Sequence, residues 1–160
     1  MEYLPIPQPS EVTDREREDA TGAYLMMFAS VAIGLPLPVL NIVAAVVYYF
    51  VNRSKGNFVR FHSLQSLYSQ LPVTLMNSAA VIWAIVNLVK DYDFTSTYWG
   101  YLIAVGVFNI VYIVFSIIGA VRAHNGRFYY FVFFGKLAYM QVFRKQYMAS
   151  APIENRPPKL

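Results

Sequence analysis

The chain has no cysteine. Disulfides, thiolate-held metal clusters and thiol nucleophiles are excluded, and the redox compartment stays undetermined. Histidine is nearly absent too: His62 and His124 stand alone, so no transition-metal site is expected. Charge is scarce, at 14% of residues against about 25% in ordinary soluble domains. No Asp or Glu lies between 20 and 90 or between 94 and 153, which removes the acidic partners that an intramembrane proton relay needs. Walker-type phosphate loops, GxSxG and HExxH are missing. Ser66 stands one helical turn from His62, but nothing in the sequence orients the pair. The expectation is no enzyme, no cofactor, no metal and no small-molecule substrate.

What the chain does have is apolar length. It is 57% hydrophobic, and formal charges are missing from 20–52, 61–89 and 94–121. A bilayer-spanning helix needs roughly 20 mostly apolar residues, and each run exceeds that. Three such runs leave too little polar chain to cover them in water. The expected fold is an all-α integral membrane protein; a soluble all-helical protein is the alternative.

The runs suggest an organisation. Residues 1–19 read as an extended acidic tail, although Thr13 and Glu16 match a capping box from which a helix could start. The acidic lead differs from the basic start of a secretory signal, so the first run is expected to be retained; nor does it resemble a transit peptide. Gly34, Pro36 and Pro38 interrupt that run. One helix over 20–52 would be about 50 Å long, well beyond a hydrocarbon core of about 30 Å. Two short spans over about 20–35 and 37–52, folded as a hairpin, fit better, with a single kinked span as the alternative. Further spans are expected over about 61–89, where Pro72 should kink or divide the helix, and 98–121. A C-terminal amphipathic helix over about 128–147 would lie in the membrane interface. The expectation is thus four transmembrane helices plus this interfacial helix, in one membrane domain over 20–149, with a loose tail over 150–160.

Charge sets the orientation. Arg53, Lys55 and Arg60 share one loop region without an acid, whereas 90–97 carries Lys90, Asp91 and Asp93. The positive-inside rule places the basic loops and the C-terminus in the cytoplasm or the equivalent compartment. The net charge of +4 therefore points to topology or anionic lipid rather than to nucleic acid.

One stripe stands out. On a helix over 57–72, His62, Gln65, Ser66 and Ser69 share a face, and four-residue steps continue it to Asn77. Unpaired polar groups in hydrocarbon cost several kcal/mol each, so the stripe must meet protein or water. It predicts a seam. The structural alternative for His62 is a simple bond to a headgroup or to backbone.

The block 58-FVRFHSLQSL-67, followed by 119-GAVRAHNG-126 and then Tyr129 and Tyr130, resembles the Tic-twenty-like family of protein-import components and their small four-span bacterial relatives. The resemblance covers about residues 20–145 and matches Phe58, Arg60, Phe61, His62 and Gln65 to the family motif. A proline expected after the tyrosines is replaced by Phe131 and Val132, and no plastid-targeting segment is recognised before the block, so the resemblance implies a multi-pass protein of a bacterial inner membrane rather than of a plastid envelope. The resemblance implies a non-enzymatic subunit of a protein translocation or insertion complex. Its partners would be the bilayer and a larger membrane assembly, met through Phe58, Arg60, Phe61, His62, Gln65, Ser66, Ser69 and Asn77. An oligomeric pore for small solutes is the alternative, and an enzyme acting on lipid is disfavoured by the missing acids.

Overall fold

The structure is a computed structural model that describes residues 6–32, 34 and 37–150. In chain order it contains α1 (Asp14–Leu25), a 3-10 turn (Met26–Phe28), α2 (Ala29–Ala32), α3 (Pro38–Asn52), α4 (Asn57–Lys90), α5 (Ser96–His124) and α6 (Phe134–Ser150), with no strand among the described residues.

The capping box is present. Thr13 Oγ1 accepts from Glu16 N–H at 3.3 Å and Glu16 Oε2 accepts from Thr13 N–H at 3.0 Å. Two orphan donors are thereby satisfied, and α1 opens at Asp14, inside the segment expected to be an extended tail. Pro38 occupies the first turn of α3, where its missing N–H costs nothing. Asp91 closes α4 in the left-handed region at φ 53°, a conformation that a short Asp side chain tolerates. Thr95 then caps α5 by accepting from Tyr98 N–H.

α4 is the axis of the fold. α1, α3, α5 and α6 all pack against it, and α1 also lies along α5. Pro72 does not divide α4, which stays helical from end to end. What changes there is the surroundings. From Phe58 to Gln70 the helix is almost wholly buried, whereas Leu71, Leu75, Ile82, Leu88 and Val89 face outward. At 34 residues α4 is about 51 Å long, some 20 Å more than a hydrocarbon core. Its enclosed end is the part wrapped by α1, α3 and α6.

α4 and α5 are long and apolar enough to cross a membrane, and most of their apolar residues are exposed rather than packed in a core. Four spans are not supported. The stretch 20–32 is shared among the end of α1, the 3-10 turn and α2, and α3 has only 15 residues, about 22 Å. Part of the expected hairpin turn (33, 35 and 36) and the tail beyond 150 lie outside the described residues.

The C-terminal helix also begins later than expected, at Phe134. Gly126 turns the chain at φ 68°, and the N–H of Phe131 is engaged by Gln65, so 127–133 runs irregularly. Ala138, Val142 and Phe143 of α6 pack on Phe61 and Leu64 of α4, which gives α6 a protein-facing side.

Candidate functional site

The polar stripe of α4 sits in the enclosed half of the helix. Phe58, Phe61, His62, Gln65, Ser66 and Ser69 are all buried, with His62 and Gln65 at 0% exposure. Their partners come from the same chain. Tyr24 of α1 places its hydroxyl 2.9 Å from His62 Nδ1 and 2.8 Å from Gln65 Nε2. Gln65 Oε1 accepts from the N–H of Phe131 at 3.2 Å. Ser66 Oγ donates to the carbonyl of Ala23 at 2.8 Å, and Ser69 Oγ donates to that of Ser66 at 2.9 Å.

The donors can be assigned in order. The Phe131 N–H can only donate, so it fixes Oε1 of Gln65 as acceptor and leaves Nε2 to donate. Nε2 donates to the Tyr24 oxygen, so the Tyr24 proton is free for His62 Nδ1. The His62 proton then sits on Nε2, which has no partner among the described residues, although the Arg127 backbone lies near the ring. Phe58, Phe61 and Phe128 surround the imidazole at centroid distances of 4.6, 5.1 and 5.8 Å. Burial pushes the Tyr24 pKa up, with the Gln65 hydrogen bond opposing, so the phenol stays neutral.

Two glycines make this approach possible. A Cβ at Gly119 of α5 would stand 2.9 Å from the Tyr24 ring. One at Gly135 would stand 2.7 Å from both Gln65 Oε1 and the Cα of Tyr130. Thr21 adds a contact between α1 and α5, its hydroxyl donating to Arg17 O at 2.7 Å with Ala120 O at 3.4 Å.

Other sequence-selected residues lie apart from this cluster. Arg60 is half-buried, with its Nε unpartnered among the described residues. Asn77 lies deeper along α4 and pairs with Asn109 of α5. Sequence reasoning missed Tyr24, Ala23 and Phe131, which hydrogen-bond to the stripe from outside α4. Tyr24 lies 38 residues from His62, and Phe131 lies 66 from Gln65 and contributes backbone alone, so no local pattern marks them.

The cluster is uncharged and buried, and no group of three or more potential metal ligands occurs among the described residues. Its chemistry is that of a joint: one phenol, one imidazole and one carboxamide hold α1, α4 and the 127–133 segment together.

The comparison with protein families is direct. Residues 18–138, three quarters of the chain, match the model of the MamF/MmsF family, described as the magnetosome magnetite crystal formation protein family. No curated protein and no solved structure matches the chain. The family match overturns the resemblance to the Tic-twenty-like family. With that resemblance go the translocation subunit, the translocation partners and the pore alternative. The physical reason is visible in the block itself. Phe58 and Phe61 are core residues, and His62 and Gln65 bind Tyr24, so the motif encodes burial of one helix face and says nothing of transported protein. The two apolar helices fit a bacterial membrane protein. With three quarters of its length matched, the chain belongs to the magnetosome magnetite crystal formation protein family.

Proposed function

We propose that this chain acts in magnetite formation as a non-catalytic protein of the magnetosome membrane. α4 and α5 cross the bilayer, the basic ends around Arg53–Arg60 and Arg122–Arg127 face the cytoplasm, and the turn after α4 faces the compartment where mineral grows. The family match over 18–138 carries this reading. Charge asymmetry supports the orientation: Arg53, Lys55, Arg60, Arg122 and Arg127 lie at one end of the α4–α5 pair, and Lys90, Asp91 and Asp93 at the other.

On the mineral side the chain offers exposed Asp91, Tyr92 and Asp93, held in a turn by the Asp91 cap and by Tyr92 N–H donating to Asn87 O at 2.8 Å. Two carboxylates form a contact surface for cations rather than a coordination cage. The stripe Phe58, Phe61, His62, Gln65, Ser66 and Ser69 works as an internal seam that seats α1 on the cytoplasmic end. Asn77 is the seam's deepest member, joining the two spans, and Arg60 stands at its rim. The C-terminal helix keeps its exposed residues, Leu137 and Met140 with Lys136, toward the interface.

The chain's lack of thiols makes the test simple. In intact isolated magnetosomes, Lys55→Cys should react with a membrane-impermeant maleimide at once, and Asp93→Cys only after the membrane is opened. The reverse pattern would overturn the orientation. Crystals of unaltered size and shape in cells lacking the chain would overturn the function.

A further inference from the structure

Between α4, α5 and the segment 131–134 lies an open cavity of about 370 Å³, within the roughly 300–1,000 Å³ range of ligand pockets. Its walls are apolar: Pro72 and Met76 of α4, Phe108 and Val111 of α5, and Phe131 and Phe133 from the segment. Ser69 and Tyr112 also line it, but the Tyr112 hydroxyl is ringed by Ser69, Gln70 and Ser116 on the protein side, none of which reaches it with hydrogen-bonding geometry. The cavity's rim continues onto Val111, Val132 and Phe133, all exposed, with Val132 at 95%. It can therefore be entered sideways from the bilayer.

Charge marks one end only. Phe115 lines the cavity, and Arg122 lies seven residues further along α5 on the same face, two turns or about 10 Å away. Arg122 is exposed and acts electrostatically on Tyr129, whose ring lies 5.4 Å from that of Phe131. The guanidinium thus stands at the basic end of an apolar slot. Lys136 is exposed two residues beyond Phe134, another lining residue. An apolar slot opening on lipid, with a cation about 10 Å beyond its Phe115 end, has the polarity of a phospholipid.

We propose that this groove is a binding site for one phospholipid, with an acyl chain between α4, α5 and 131–134 and an anionic headgroup held by Arg122. A fork of N–H donors matches phosphate oxygens, and at the edge of hydrocarbon it is only partly screened. The site rests on the membrane placement of α4 and α5 and adds a specific ligand to it.

The test uses the full chain in nanodiscs of mixed phosphatidylglycerol and phosphatidylcholine. The chain is released into mild detergent and analysed by native mass spectrometry. The wild type should retain a single phospholipid, enriched in phosphatidylglycerol. Met76→Trp and Val111→Trp, which fill the groove from different helices, should each lose it. Arg122→Gln should keep a lipid but lose preference for the anionic headgroup by roughly tenfold, the scale of one charge-assisted hydrogen bond. A wild type without retained lipid would overturn the site. So would lipid retention in both tryptophan variants equal to that of the wild type, an unchanged preference in Arg122→Gln, or a lipid-free dimer closed over the groove. Carbonate extraction separates this from the underlying placement: a chain washed off membranes refutes both, and a chain that stays but carries no lipid refutes the groove alone.

Discussion

Asn77 and Asn109 exchange their side-chain amides across the α4–α5 interface. Asn77 Nδ2 donates to Asn109 Oδ1 at 3.1 Å, and Asn109 Nδ2 donates to Asn77 Oδ1 at 3.0 Å. Each Nδ2 spends its second proton on its own helix, at Val73 O and Val105 O. Every amide hydrogen is used, so two polar side chains sit between apolar helices without an open donor.

Reciprocity makes the pair non-additive. Asn77→Leu or Asn109→Leu alone leaves one amide facing a leucine and should cost about 1–2 kcal/mol. The double leucine variant removes both polar groups and should cost less than the sum of the two. Unfolding in mixed micelles measures all three; strictly additive losses would show that the amides do not act together.

Tyr24→Phe keeps the ring and deletes the hydroxyl that joins His62 to Gln65. The expected loss is about 1–3 kcal/mol, because two buried polar atoms lose their partner together. A pH signature should accompany it. Burial raises the Tyr24 pKa above its ordinary 10.0, so above that pH the unfolded chain has released a proton that the folded chain still holds. Stability from this group is complete below pH 10 and falls as pH rises further. The alkaline decline in melting temperature should therefore be steeper in the wild type than in Tyr24→Phe. Parallel declines would mean that the phenol is not buried as described.

Gly119→Val places a branched side chain where the Tyr24 ring now lies, 2.9 Å from the glycine's missing Cβ. The ring cannot shift without breaking its bonds to His62 and Gln65. α1 should come loose while α4 and α5 stay intact. Trypsin should then cut at Arg15 and Arg17 at least tenfold faster, the effect of about 1.4 kcal/mol on a local opening equilibrium. Unchanged cleavage with an unchanged melting temperature would show that the contact between α1 and α5 is slack.

Legibility in the sequence followed distance along the chain. The Thr13–Glu16 cap is visible because its partners lie three residues apart, and the long apolar helices are visible because lipid demands unbroken apolar length. The polar stripe of α4 is visible as a need for partners, since helical spacing alone puts His62, Gln65, Ser66 and Ser69 on one face. The identity of those partners is not. Tyr24 sits among alanine, leucine and methionine with no periodic mark, and Phe131 contributes only its backbone N–H. The four-span expectation failed because 20–52 has the right composition but breaks into pieces too short to cross. The resemblance to import proteins failed because a motif of core aromatics and a bonded histidine reports packing, which unrelated functions can share.

By itself the sequence determined that two stretches are long and apolar enough to cross a membrane and where along the chain the basic residues fall, because both are read from residue order, which no folding can alter. Only the tertiary structure decided that the polar stripe is answered from within, by a phenol brought across 38 residues and a backbone N–H brought across 66. Hydrogen bonds are short-ranged and directional, so their partners exist only once the helices have been set side by side.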